Sequence, residues 1–269
     1  MIGSYAGIEV SVDAGVAVLT LSRPEALNAP DRAMHTALTR IWGDLDVEGV
    51  NAAVLTGSGR AFSAGSDRAL MRALLDDEEI RAEVMAEASL MLREMLQLPV
   101  PIVAAVNGVT VGLGCSMVAV CDLVVMAESA YFVDPHVPLG LAGGDGMALV
   151  WPKCTGLLVA KELALLGNRL DAERALAVGI ANRVVADDQL MTEAIGLARR
   201  LAALPTQAVR QTKRVLNTAM REHLAVGLDI ALASEARSFR IPENRAALER
   251  ALLPRPSKRD RSRSEGRTT

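Results

Sequence analysis

Two segments of this chain each place a run of small residues between a β-forming stretch and a helix-forming stretch. They are TGSGRAFSAGSD at residues 56–67 and AVNGVTVGLGCS at residues 105–116. Glycines let a ligand approach the main chain closely, and N–H groups at a helix start have no partner within the helix. Neither segment has the ending of a phosphate-binding loop or the glycine spacing of a dinucleotide fingerprint. Two such loops predict two N–H groups that converge on one oxygen, as in an oxyanion hole.

Strands and helices alternate in the first half of the chain. Asp31 is placed to cap a helix that runs to about residue 46, another helix is expected over residues 67–98, and a short one begins near Leu113. This alternation predicts an α/β architecture with catalytic groups in loops at the carboxyl ends of strands. The predicted strands, rich in β-branched and aliphatic residues, are 16–22, 52–56, 101–106 and 123–126.

Helical patterns dominate after residue 140. We expect a core over residues 1–200 and a helical region over residues 201–253 that closes the site or forms an oligomer interface. The tail over residues 254–269 has no apolar periodicity and many basic residues, which predicts disorder.

Charge and hydropathy exclude two classes of partner. The formal net charge of −3 argues against nucleic acid. Residues 95–121 carry no charged side chain, but prolines and glycines interrupt them too often for one membrane-spanning helix. The first ten residues lack the basic and apolar regions of a signal peptide, so we expect a cytoplasmic protein.

The cysteines and two of the three histidines are not expected in the site. Cys115, Cys121 and Cys154 lie in apolar surroundings and are interpreted as buried, reduced thiols. His35 and His223 lie on predicted helices beside polar neighbours, which predicts surface positions.

Several motifs resemble those of the enoyl-CoA hydratase/isomerase (crotonase) superfamily, and they occur in the family's order. The resemblance covers roughly residues 8–240 and implies an α/β crotonase (ClpP-like) fold. This fold is a spiral of ββα units with a helical C-terminal region that forms trimers. The motifs are RPEALN at 23–28, FSAGSD at 62–67, AAVNG at 104–108, GLGC at 112–115, CD at 121–122, LGNRLDA at 166–172 and ALAVGIA at 175–181.

The same resemblance implies an acyl-CoA thioester substrate, with coenzyme A as part of the substrate and no metal or permanently bound cofactor. It implies a homotrimer or homohexamer. The oxyanion donors would be the N–H groups of Ser66 and Leu113. The coenzyme A cleft would be lined by the backbone around Ala26, Ala64 and Asp67, and the Arg68 side chain would meet its phosphates. The implied substrate pocket includes Gly112, Gly114, Ser116 and Asp134.

The chain departs from the hydratase pattern at both catalytic glutamates. Ser116 and His136 stand at the matching positions. Hydration needs one group that activates water and one that delivers a proton, and a serine hydroxyl has no useful basicity near neutral pH. Crotonyl-CoA hydration is therefore expected to be weak.

A histidine–aspartate pair offers a replacement. His136 precedes Asp145, and the glycines around Asp145 allow the chain to turn back, so that its carboxylate can orient the imidazole of a general base. Asp134 is a rival partner, and Asp145 is also placed to cap a helix. The pattern resembles a branch of the superfamily that includes β-diketone hydrolases of the 6-oxocamphor hydrolase type.

Three functions follow from these observations. The first is an acyl-CoA enzyme of hydratase/isomerase type with His136 as base. The second is a hydrolase of the same fold that cleaves a carbon–carbon bond of a β-diketone with the His–Asp pair. The third, which the missing glutamates suggest, is a catalytically silent member with a binding or assembly role.

Overall fold

Six strands form the larger of two sheets. A computed structural model describes residues 5–46 and 49–253 of the chain. The first two strands pair antiparallel, and every other neighbouring pair in this sheet is parallel. In spatial order the strands are β1 (Ile8–Asp13), β2 (Val16–Leu21), β3 (Ala52–Gly57), β5 (Ile102–Val106), β7 (Leu123–Ala127) and β10 (Arg183–Val185).

A second sheet of four short strands lies beside the first. In spatial order these are β4 (Ala61–Ser63), β6 (Val109–Val111), β8 (Tyr131–Val133) and β9 (Leu170–Asp171). Strand β3 is followed along the chain by β4, β5 by β6, and β7 by β8, so that each pair contributes one strand to each sheet. A helix follows each pair. This repeated ββα unit confirms the predicted α/β crotonase fold.

Helices cover the sheets and make up most of the chain after residue 145. They are α1 (Arg32–Asp44), α2 (Arg68–Asp76), α3 (Glu78–Gln97), α4 (Leu113–Ala119), α5 (Met147–Thr155), α6 (Leu157–Leu166), α7 (Ala172–Ala177), α8 (Leu190–Ala202), α9 (Thr206–Leu216), α10 (Thr218–Ser238) and α11 (Pro242–Leu252). None of the helices in the described ranges is long and apolar enough to cross a membrane.

The prediction of a single helix over residues 67–98 is wrong, because Asp77 separates α2 from α3. The backbone of Asp77 is extended, and its carboxylate accepts hydrogen bonds from the N–H groups of Glu79 and Ile80, at 2.9 and 3.1 Å. Asp77 thereby caps α3 and ends α2, as aspartate commonly does at a helix start. Asp31 caps α1 as predicted, by accepting from the N–H of Met34 at 2.8 Å.

Several side chains are not where the sequence placed them. His35 is 1% exposed, because it lies on the face of α1 that packs against α3, and the surface prediction is wrong. Cys115 is buried as expected, whereas Cys121 is half-buried and Cys154 is exposed. The strands β1, β4, β6, β9 and β10 were not predicted; four of them have only two or three residues, too few to show a period.

The helical region expected over residues 201–253 consists of α9, α10 and α11. Helix α10 packs against α3 and α5, so it reaches the centre of the molecule. The predicted basic tail, residues 254–269, lies outside the described residues.

Candidate active site

The two glycine-containing loops meet at one cavity of about 120 Å³. Ser66, after β4, and Leu113, at the start of α4, both line it. Within residues 5–46 and 49–253, neither the Ser66 N–H nor the Leu113 N–H has a hydrogen-bond acceptor. Such unpaired amides are able to bind an oxygen atom of a ligand.

Glycines allow the two loops to approach each other. Gly65 has a φ of +78°, and a Cβ there would lie 3.2 Å from the carbonyl oxygen of Val111. Gly112 has a φ of +50°, and a Cβ there would lie 3.7 Å from Cε1 of His136. Side chains at these positions would strain the backbone and crowd the space between the loops.

His136 stands in the cavity wall directly after β8. Its Nδ1 hydrogen-bonds the carboxylate of Asp134, and its backbone N–H donates to the same oxygen at 3.3 Å. A 3-10 turn at Val137–Leu139 then turns the chain away. The imidazole orientation is therefore set by the residue two positions earlier.

Asp145 and Glu235 face the other imidazole nitrogen. Nε2 of His136 lies 3.7 Å from a carboxylate oxygen of Asp145 and 3.7 Å from one of Glu235. The expectation that Asp145 lies within hydrogen-bond reach of the imidazole is wrong, because 3.7 Å exceeds that reach. The rival Asp134 makes the bond instead. Glu235, on α10, was not predicted from the sequence.

This cluster of one imidazole and three carboxyl groups is buried, and burial shifts its protonation. Burial opposes a charge on His136. The carboxylate of Asp145, the hydrogen bond to Asp134 and the charge of Glu235 outweigh that effect and raise the pKa of the imidazole well above its usual range. Burial raises the pKa of Glu235 to about 7, and it also raises the pKa of Asp145, although the nearby imidazole opposes both shifts. Near neutral pH the cluster therefore holds exchangeable protons.

Of the four residues expected in the substrate pocket, one lines the cavity and three lie behind its wall. Gly112 lines the cavity, while Gly114, Ser116 and Asp134 lie behind its wall. Gly114 is buried, and a Cβ there would lie 3.1 Å from the carbonyl oxygen of Ser63. Ser116 accepts the N–H of Met147 at 3.1 Å. Asp145 does not cap α5, which begins after Gly146 without a side-chain cap.

Of the four residues expected along a coenzyme A cleft, only one lines the cavity. Ala64 lines the cavity, whereas Ala26, Asp67 and Arg68 do not. Asp67 caps α2 through the N–H of Leu70 at 2.8 Å and pairs with a nearby arginine. Arg68 is exposed, and its guanidinium hydrogen-bonds the last carbonyl of α11. Ala26 is the half-buried last residue of an otherwise exposed 3-10 turn, Pro24–Ala26.

One further side of the cavity is mainly apolar and includes the imidazole of His35. Nδ1 of His35 lies 2.7 Å from the carboxylate of Glu87 on α3. The aliphatic residues on this side are Met71, Leu74, Val84, Met85, Ala88 and Leu232. The cavity thus joins two free amides, a proton-exchanging cluster and an apolar wall.

Known proteins share this architecture. The sequence model of the enoyl-CoA hydratase/isomerase family matches residues 11–248. The 1,2-epoxyphenylacetyl-CoA isomerase of Escherichia coli (strain K12) is 35% identical over 229 residues, 81% of this chain and 85% of that protein. The short-chain-enoyl-CoA hydratase of Clostridium acetobutylicum (strain ATCC 824) is 31% identical over 226 residues, 83% of this chain and 84% of that protein.

A solved structure supports the same assignment. The enoyl-CoA hydratase/isomerase of Mycobacterium paratuberculosis has a TM-score of 0.88 and 43% identity, and the match covers 91% of this chain and 98% of that one. Fold and site together define a crotonase-superfamily enzyme. The chain belongs to the enoyl-CoA hydratase/isomerase family.

Proposed function

We propose that this enzyme binds an acyl-CoA thioester with its carbonyl oxygen between the N–H groups of Ser66 and Leu113. The observation that carries the proposal is that these two unpaired amides line the same cavity as His136. Two donors aimed at one carbonyl oxygen stabilise the negative charge that develops there when the neighbouring carbon loses a proton. Coenzyme A enters as part of the substrate, and the proposed chemistry needs neither a metal nor a resident cofactor.

His136 is the proposed proton-transfer group of this site. Its raised pKa means that the imidazole is protonated near neutral pH, so it acts as a base only after its proton has moved. Glu235 and Asp145, each 3.7 Å from Nε2, are the groups that can take that proton and return it. With a pKa of about 7, Glu235 is suited to this exchange at neutral pH. We propose that the imidazole and these carboxyl groups act as one unit.

The reaction supported by this arrangement is proton transfer at the carbon next to the thioester carbonyl. The base removes a proton from that carbon, and the electron pair delocalises onto the carbonyl oxygen between the amides. In a β,γ-unsaturated thioester, return of the proton to the γ carbon gives isomerisation. In an α,β-unsaturated thioester, water adds to the β carbon while the base takes a proton from that water, and protonation of the resulting enolate at the α carbon gives hydration. Relatives named as an isomerase and as a hydratase are consistent with both outcomes.

A hydrolase acting on a β-diketone is the second candidate, and the Asp134–His136 hydrogen bond favours it. A histidine oriented by a carboxylate is a competent group for water activation. Ala64 in the cavity wall and the unpaired amides favour the thioester instead, because they fit the loops implied by the family resemblance.

A substrate screen separates the two candidates. Isothermal titration with saturated acyl-CoA thioesters should give dissociation constants between low micromolar and millimolar, and crotonyl-CoA and cyclic β-diketones should be tested for turnover. If several thioesters give no heat of binding while a β-diketone is cleaved, the hydrolase replaces the proposed function. If neither class is bound or converted, a silent member of the family replaces both.

The C-terminal helices are proposed to join three copies of the chain. Four aliphatic side chains on α9 and α10 are at least 66% exposed, which is unfavourable for a monomer in water. They are Val215, Leu216, Val226 and Ile230. The proposed assembly is a homotrimer or a pair of trimers.

A further inference from the structure

His35 brings a polar atom to the otherwise apolar side of the cavity. The side chain is almost completely buried, yet the imidazole forms part of the cavity wall. Nδ1 is bonded to Glu87, and among the residues that the structure describes Nε2 has no hydrogen-bond partner. An unpaired polar atom in such a place is unfavourable unless a ligand supplies the partner.

Glu87 fixes which nitrogen faces the cavity. Arg32 pairs with its carboxylate, and the hydroxyl of Thr36 donates to it at 2.9 Å. Burial works against the charge, but the bonds from His35, Arg32 and Thr36 outweigh it and lower the pKa of Glu87 to about 2. A carboxylate only accepts hydrogen bonds, so Nδ1 of His35 carries the hydrogen. Nε2 is left for the cavity, as an acceptor when the imidazole is neutral and as a donor when it is charged.

A histidine held by an ion pair at this position costs more free energy of folding than an apolar side chain would. A leucine or methionine, such as those beside it, would fill the same space without a half-buried ion pair behind it. The side chains of α1 and α3 instead hold the imidazole in one orientation towards the ligand space.

We propose that Nε2 of His35 hydrogen-bonds a hydroxyl group on the acyl chain of the substrate. A hydroxyl both donates and accepts, so it satisfies Nε2 in either protonation state of the imidazole. The enzyme then prefers thioesters with a hydroxylated acyl chain over thioesters with a plain hydrocarbon chain. This inference rests on the proposed thioester function and names the substrate class within it.

Matched saturated thioesters test the inference without turnover. Isothermal titration compares 6-hydroxyhexanoyl-CoA with heptanoyl-CoA, and 7-hydroxyheptanoyl-CoA with octanoyl-CoA, so that a methyl group replaces the hydroxyl in each pair. We expect at least one hydroxylated thioester to bind about 3- to 10-fold more tightly than its partner, the effect of one neutral hydrogen bond.

Two variants assign the preference to one nitrogen. Asparagine places its amide near Nδ1 and can keep the bond to Glu87, whereas glutamine places its amide near Nε2. His35→Asn should lose the preference and His35→Gln should keep part of it. Leu90→Ala, on the exposed side of α3 and outside the cavity, is the control and should leave the preference intact.

The possible failures are distinguishable. Equal binding within both wild-type pairs overturns the inference alone, even if a variant does not fold. A preference that persists in a folded His35→Asn variant also overturns it. If none of the four thioesters binds, the proposed function fails and the inference fails with it.

Discussion

The carboxylate of Asp134 holds Nδ1 of His136 across a single intervening proline. Because a carboxylate accepts this bond, the hydrogen lies on Nδ1, and Nε2 faces Asp145 and Glu235. Orientation and proton exchange are thus assigned to different carboxyl groups on opposite sides of one ring.

Replacing Asp134 should remove the contact that fixes the orientation of the His136 imidazole. Asp134→Asn removes a negative charge and weakens the bond to Nδ1, because an amide oxygen is a neutral acceptor. The pKa of His136 should therefore fall, and kcat on the true substrate should drop ~10²–10⁴-fold. NMR titration of the imidazole gives the pKa, and steady-state kinetics gives kcat. Asp13→Asn, which alters an exposed ion pair, is the control.

The combination of Asp134→Asn with His136→Ala should be little slower than His136→Ala alone, because groups that act as one unit are not additive. Additive losses, or an unchanged imidazole pKa in Asp134→Asn, would remove Asp134 from this role.

Glu235 should make the folded chain less stable as the pH rises. Its pKa of about 7 exceeds the ordinary value of about 4.3, so the folded chain binds this proton more tightly than the unfolded chain does. The proton on Glu235 therefore contributes most to the stability of the folded chain below about pH 4.3. That contribution is lost as the pH rises from about 4.3 through 7. Glu235→Gln cannot ionise, and its free energy of unfolding should therefore exceed that of wild type above pH 7 by roughly 1–3 kcal/mol, with a smaller difference at pH 5.

Urea unfolding at pH 5 and pH 8 measures this difference. Glu249→Gln on α11 is the exposed control and should show no such trend. A Glu235→Gln variant that is destabilised equally at both pH values would refute the assigned protonation.

The amide of Leu113 can be removed while its side-chain loss is controlled. Proline is tolerated at the first residue of a helix, and Leu113→Pro deletes the N–H, while Leu113→Ala removes most of the side chain and keeps the N–H. We expect kcat of Leu113→Pro to be ~10²–10³-fold below that of Leu113→Ala. Equal kcat values in two folded variants would mean that this amide does not bind the oxyanion.

The exposed aliphatic face on α9 and α10 predicts the assembly state. Light scattering should give a multiple of three chain masses of 28.5 kDa for the wild type. Val226→Glu places a charge among these side chains and should shift the protein towards the monomer, whereas Arg40→Glu on the exposed side of α1 should not. A monomeric wild type at micromolar concentration would contradict the proposed trimer.

The sequence correctly predicted those features that depend on residues close together in the chain. Asp31 caps its helix, the aliphatic runs form central strands, and the loops before Asp67 and Leu113 converge as their glycines indicated. Each of these depends on residues adjacent in the chain, which a sequence displays directly.

The remaining site residues depend on long-range packing. Glu235 lies within a long helix whose pattern does not reveal which turn meets the cavity, and only the packing of α10 against α3 and α5 places it there. His35 has polar neighbours on α1, which concealed that its own face meets Glu87. Asp145 turns towards His136 as expected, but the loop stops it 3.7 Å away, and loop geometry is not encoded in spacing.

Deuterium exchange at the carbon next to the thioester tests the central claim most directly. Butyryl-CoA in D₂O should exchange its protons at that carbon with solvent, since exchange needs only a base and a stabilised oxyanion. NMR follows the loss of signal, and calorimetry confirms binding. We predict exchange by the wild type and a rate at least ~10²-fold lower for His136→Gln at equal occupancy. Bound butyryl-CoA that does not exchange in the wild type, or that exchanges equally in the variant, would contradict the account.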